Sequence, residues 1–128
     1  MSSIIRVIRA RDLIKANPEG PFDVEKYKQL LMDIASAAAP LGDYEILLDT
    51  RKAHVDISKA DLFFLASELC KRPDMFARKT AVLCPLERFD HAGFFALCAE
   101  NRGCQVKAFT SFEDAIEWLT ADRTEPGT

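Results

Sequence analysis

The sequence predicts a single α/β domain: a mixed, mostly parallel sheet of four or five strands with four helices. Three observations predict it. Short apolar runs alternate along the chain with amphipathic stretches of helical period. The middle runs, around Tyr44–Leu48 and Thr80–Cys84, are near-continuously apolar, as expected of strands buried on both faces. Proline, glycine and capping residues punctuate almost every boundary.

The elements follow in order. Ile4–Ile8 is rich in isoleucine and reads as a strand, and Asp12–Ala16 as a second, edge strand. NPEGP at Asn17–Pro21 is a turn or loop signal. Asp23 caps a helix to about Ala39, in which Val24, Tyr27, Leu30, Leu31 and Ile34 recur at helical spacing and which Pro40 and Gly42 stop. Tyr44–Leu48 is an interior strand. Ser58 opens a second helix to about Lys71, closed by Pro73. Thr80–Cys84 is a strand ended by Pro85. Glu87–Asn101 is a third helix ended by Gly103. Gln105–Phe109 is the last long strand, and Ser111–Leu119 a fourth helix with Phe112, Ala115, Ile116 and Leu119 on one face. The order β(β)αβαβαβα implies right-handed crossovers between parallel strands. The domain is expected over residues 1–120, with a polar, frayed tail at 121–128.

Composition narrows the function. A chain of 128 residues, 48% hydrophobic and 29% charged, suits one soluble core. Seventeen basic against twenty acidic residues give a net charge of −3, so no general nucleic-acid binder is expected. No apolar run approaches the roughly 18 residues of a membrane span. The stretch MSSIIRVIRARD carries charge within its apolar run, unlike a signal peptide. Cys70, Cys84, Cys98 and Cys104 have no C-x-x-C spacing and read as small core residues of a reducing cytoplasm. Neither a metal site nor a cofactor is expected.

Motifs for chemistry are few. None of the five glycines forms a phosphate-binding loop. Asp49, at the end of a strand, lacks the acidic pair and the Lys-Pro of a receiver site, and reads as bonding the following turn. Ser58 with Asp61 forms a capping-box variant. His54 and Asp56 in one loop, and His91 beside Asp90, have no nucleophile elbow or oxyanion loop to work with. The apolar surface is more informative. Leu62, Leu65, Ala66 and Leu69 share one face of the second helix, and Phe64 points the opposite way. The third helix is apolar on almost every side, with Phe94, Leu97 and Cys98 as its second stripe. Such a helix is buried on more than one side, by neighbours, a ligand or a partner chain.

Three segments carry a family resemblance: EILLDTRKAHVDISKADLFFLASEL, KTAVLC and VKAFTSFEDAIEWL. Together, over roughly Ile4–Leu119, they resemble the SpoIIAA-like branch of the STAS domains (sulfate transporter and anti-sigma factor antagonist), a fold similar to that of CRAL-TRIO lipid carriers. The resemblance implies a SpoIIAA-like fold. It also implies a candidate phosphoacceptor at Ser58, aligned with the serine that opens the helix after the central strand. Ile57 and Lys59 stand where that family's D-S-S-G-type motif has its first serine and its glycine.

The resulting expectation is a non-enzymatic cytoplasmic binding or regulatory module acting through protein–protein contacts. It would use Phe64, Phe94, Leu97 and Cys98, either as a homodimer or with a protein partner. One alternative is a carrier of a small apolar or lipid ligand in a cavity lined by Phe63, Leu65, Phe95 and Cys98. The other is a regulator switched by phosphate on Ser58.

Overall fold

The computed structural model describes residues 3–8, 12–41, 44–72 and 78–121. The expected helix stops at Gly42 and Pro73, the segment Arg9–Arg11 and the expected tail beyond Ala121 lie outside these residues.

Five strands form the main sheet in the order β1-β2-β4-β6-β7. They are β1 (Ser3–Ile8), β2 (Leu13–Pro18), β4 (Glu45–Asp49), β6 (Lys79–Leu83) and β7 (Gln105–Phe109). β1 and β2 are antiparallel, and every other neighbouring pair is parallel. Two three-residue strands, β3 (Gly20–Phe22) and β5 (Ala53–Val55), make a separate parallel ladder. The helices are α1 (Val24–Ala38), α2 (Lys59–Leu69), α3 (Phe89–Glu100) and α4 (Phe112–Thr120). This is the mixed, mostly parallel α/β architecture expected.

Alternation along the strands divides the core. Ile14, Ala16, Ile46, Leu48, Val82 and Val106 face the layer of α1, α2 and α3. Leu13, Leu47, Ala81 and Leu83 face α4 alone, through Ala115 and Leu119. β4 and β6 are therefore buried on both faces, which explains their unbroken apolar sequence.

The helices begin where their capping residues stand. The side chains of Asp23, Ser58 and Ser111 each accept a hydrogen bond from the amide three residues on, at Lys26, Asp61 and Asp114. A 3-10 turn at Leu86–Arg88 precedes α3 and takes up what was expected as its first turn. Gly103, at φ +96°, adopts the left-handed backbone that returns the chain from α3 into β7.

Three expectations are corrected. β2 is an interior strand, paired on both sides. Its Lys15 is accommodated on the α4 face, where the ammonium reaches over the Phe112 ring at 5.6 Å. NPEGP is not one loop: Asn17 and Pro18 end β2, and Gly20–Phe22 forms β3. The cysteines are not all free. Cys70, at the end of α2, and Cys104, just before β7, form a disulfide, their Cα atoms 6.0 Å apart. The ends of α2 and α3 lie side by side, so the turn at Gly103 delivers Cys104 to Cys70. A separation of 34 residues leaves no motif in the sequence. Cys84 and Cys98 are free and buried. The pairing removes cysteine usage as an argument for a reducing compartment.

The amino ends of the strands are held by two buried cations. Arg78 donates to the carbonyls of Leu41, Tyr44 and Ala38, at 2.8, 2.7 and 2.5 Å. It thereby closes the C-terminal end of α1, where a positive charge also suits the helix dipole. Lys79 points to the other face and donates from Nζ to the Trp118 carbonyl of α4 at 2.8 Å. Its backbone amide donates to the Glu45 carboxylate at 2.6 Å.

Replacing Arg78 by methionine keeps apolar bulk but leaves three carbonyls without this donor. The expected loss is about 3 kcal/mol or more in urea unfolding, and a loss under about 1 kcal/mol would overturn the account. Thiol titration of the unfolded, unreduced chain is expected to find two reactive cysteines. Reduction is expected to lower stability by about 2–4 kcal/mol; four reactive thiols before reduction would show the pair open.

Candidate functional site

In open parallel sheets, ligands bind beyond the carboxyl ends of the strands. Here that edge collects the end of β4, the β5 segment, the start of α2 and the turn before α3. Thr50, buried after β4, donates from its amide and its hydroxyl to the Leu83 carbonyl at 2.8 and 3.0 Å. Arg88, in the 3-10 turn, donates from one nitrogen to the carbonyls of Thr50 and Ala53 at 2.8 and 2.9 Å. It forms no ion pair among the described residues.

Asp49 bonds the turn that follows it. Oδ1 accepts from the Arg51 amide at 3.1 Å, and the guanidinium of Arg51 grips both carboxylate oxygens at 3.0 and 2.9 Å. Burial alone would raise its pKa, but the hydrogen bonds and charge of Arg51, helped by Lys15, hold it below the ordinary value. Lys15, Asn17, Pro18, Arg51 and Lys52 border an open hollow of about 430 Å³ around this pair. Its cations are partly exposed side chains, and Arg51 is already engaged.

Ser58 is exposed, and its hydroxyl accepts from the Asp61 amide at 3.1 Å. Loss of such a cap costs about 1 kcal/mol. His54 belongs to the strand β5 rather than to a loop, and its side chain is exposed, as are those of Asp56 and His91.

The aromatic residues of α2 and α3 divide differently from expectation. Leu65 and Phe95 are buried between the helices and the sheet. Phe63, expected to line a cavity with them, is 48% exposed, and the Arg102 guanidinium lies 4.5 Å from its ring centre. Phe64 is exposed under Lys28, and Phe94 is half-buried under Lys59, each ammonium 5.4 Å from the ring. Cys98, expected on the outer surface, faces inward and is buried. The helical period explains both corrections: α3 packs on β7 below and α2 beside it, so Cys98 turns towards the core while Leu97 turns out.

What covers α3 is thus answered on two sides, and a third is open. Leu97 is 53% exposed, with Phe89 exposed on the same flank and Leu86 at 77% in the preceding turn. Phe89, Gly93, Leu97 and Glu100 border a groove of about 550 Å³, whose far wall is the edge strand β7 and Trp118 of α4.

The hollow beneath α2 and α3 is much smaller, about 30 Å³, lined by Tyr27, Thr50, Val55, Leu62, Cys84, Arg88, His91 and Phe95 among others. A lipid carrier needs a pocket of roughly 300 Å³ or more, so the expected apolar cavity does not form there. Tyr27 was legible only as part of the apolar face of α1. Arg88 and Cys84 carried no motif.

Among the described residues, no group of three His, Cys, Asp or Glu side chains could hold a metal ion, and no helix is long and apolar enough to cross a membrane. Comparison with solved structures finds an uncharacterized DUF3478-family protein from Shewanella loihica PV-4 with a SpoIIAA-like fold. The match covers 92% of this chain and 94% of that one, with a TM-score of 0.59 and 19% identity. The fold of the present chain is accordingly SpoIIAA-like. No protein-family model and no curated protein matches the sequence.

The Asp49–Arg51 pair sets a pH dependence. Because the folded carboxyl titrates below its unfolded value near pH ~4, the unfolded chain takes up the proton first as pH falls. The stabilisation is full above about pH 4 and is lost as pH drops through the folded pKa. With Arg51 half-exposed, it amounts to no more than about 1 kcal/mol. Asp49→Asn is expected to flatten the stability profile between roughly pH 5 and pH 3, measured by denaturant unfolding. A variant as steep as the native chain would exclude this carboxyl as a contributor.

Proposed function

We propose that the chain is a non-enzymatic binding or regulatory module that works through protein–protein contacts on the open flank of α3, with a second copy of itself as the partner. The observation that carries this reading is the exposure of Leu97, Phe89 and Leu86 along one flank, beside a groove of mixed apolar and polar lining. Monomeric domains rarely leave such residues grouped without a use. The groove also carries one acid, Glu100, and one base, Lys107. A two-fold axis through it would set the acid of one copy near the base of the other, while the apolar residues meet at the centre. Lys107 on the exposed edge strand disfavours direct pairing of two β7 strands, which would bring like charges together. Helix-to-groove packing is therefore the favoured geometry.

The aromatic rings of α2 and α3 support the surface less directly. Phe63, Phe64 and Phe94 are each partly covered by a cation, a contact of about 0.5–1 kcal/mol at exposed sites. The fold of the Shewanella protein is compatible with a binding module.

Sedimentation equilibrium across a wide concentration range is expected to give a dimer. Leu97→Glu is expected to return it to monomer, with the thermal midpoint of the monomer unchanged because Leu97 is outside the core. A monomer at the highest concentration, or a dimer indifferent to Leu97→Glu, would sink the self-association reading.

A further inference from the structure

The crevice at the carboxyl edge of the sheet is built unlike the rest of the core. Most of its wall is apolar: Val55, Leu62, Val82, Ala92 and Phe95. Three of its polar residues come from three different elements. Tyr27 comes from α1, Thr50 follows β4, and Arg88 comes from the turn before α3.

Tyr27 is only 6% exposed, and its ring is fixed between Phe22 and Phe95, at centroid distances of 6.2 and 6.4 Å. Its hydroxyl has no hydrogen-bond partner among the described residues. Burial pushes its pKa far above the ordinary value, so the phenol stays protonated and remains a donor; Arg88 opposes that shift and Cys84 adds to it. Tyr27, Cys84 and Arg88 all line the crevice. The hydroxyl is not sealed from solvent, so the crevice leaves it open to water or to a ligand oxygen that takes the water's place.

Arg88 supplies the complementary charge. Its two hydrogen bonds, to the Thr50 and Ala53 carbonyls, come from one terminal nitrogen. They orient the guanidinium without neutralising it. The thiol of Cys84 is pushed towards its neutral form by burial, against the effect of Arg88, so it adds no negative charge. His91 and Ala92, in the first turn of α3, complete the rim, where the helix end also favours an anion.

We propose that this crevice binds the carboxylate of a small organic acid, which accepts from the Tyr27 hydroxyl and pairs with Arg88 while its short apolar part lies against Val55, Leu62 and Phe95. The apolar wall selects a carboxylic acid over inorganic phosphate. The volume selects a short acid over a fatty acid, since the free space is about 30 Å³ and only the rim opens to solvent. This site is separate from the outer flank of α3 and does not depend on self-association.

The test is an NMR titration of the full chain with acetate and propionate, with inorganic phosphate at matched ionic strength as the comparison. Both acids are expected to give saturable amide shifts at Thr50, Cys84 and His91, with propionate the tighter. Tyr27→Phe preserves the ring packing and removes only a hydroxyl with no protein partner, so the variant is expected to keep its fold. It should weaken both acids about tenfold or more, the usual cost of losing a hydrogen bond to a charged group. Arg88→Lys is expected to weaken them as well; if it unfolds the loop, Tyr27→Phe decides alone. Absence of saturable shifts, equal binding by Tyr27→Phe, or phosphate binding as tightly as propionate would each overturn the assignment.

Discussion

The structure depends on how its buried carbonyls are satisfied. A parallel sheet ends abruptly at both edges, and the helices packed on it end there too, leaving carbonyls outside the regular ladders. Turn amides reach several of them, at Ala38, Leu41, Thr50 and Trp118, and cationic side chains add a second donor. Arg78 gathers three carbonyls at the end of α1 and the approach to β4, and Lys79 holds the last turn of α4. Adjacent strand residues point to opposite faces, so one dipeptide secures a helix on each side of the sheet. At the opposite edge Arg88 does the same for Thr50 and Ala53. Hydrophobic burial drives the layers together, and these three residues determine where the layers stop.

The two faces of the sheet are unequal. Three helices cover one, and α4 alone covers the other. On the three-helix face the hollow beside Phe95 measures only about 30 Å³, far short of a carrier cavity. Apolar surface lies at the margin, where α3 passes the edge strand β7 with no further helix beyond it among the described residues. An edge strand invites pairing, and Lys107 limits that tendency. The open flank is thus a consequence of topology: the last parallel strand has α3 on one side of the sheet, α4 on the other, and solvent along its edge.

Much of this was legible in the sequence. The caps at Asp23, Ser58 and Ser111 mark helix starts because each side chain offers an acceptor where the first helical amides lack one. β7 lies where its pattern placed it. The residues that escaped did so for physical reasons. Arg78 and Lys79 precede the apolar run Thr80–Cys84 and carry no signal of burial, because long cations usually are exposed. The ladder of β3 and β5 is too short to show a period. Nothing in composition signals that Cys70 and Cys104 meet, since the contact depends on two helices ending side by side. Phe63 and Phe64 are neighbours on the outer side of α2, and only the packing of α3 shows that Phe63 cannot share a cavity with Leu65. In the candidate crevice, Tyr27 was visible as an apolar position and invisible as a hydroxyl: periodicity reports which way a ring faces, but not what its polar end meets.

The crevice and the open flank meet in one short turn. Pro85 ends the strand run, and the next four residues carry side chains to different surroundings. Leu86 and Phe89 turn out to the flank, while Arg88 turns in to the carbonyls of Thr50 and Ala53. The Arg88 amide closes the turn on the Pro85 carbonyl at 3.0 Å, so the inward and outward side chains share a single backbone unit. The space beside Arg88 thus lies next to the backbone that carries Phe89. The two sites differ in lining: the crevice is mostly apolar with a few polar groups, and the groove is mixed. They are mechanically adjacent because a SpoIIAA-like sheet has one carboxyl edge, and α3 begins on it.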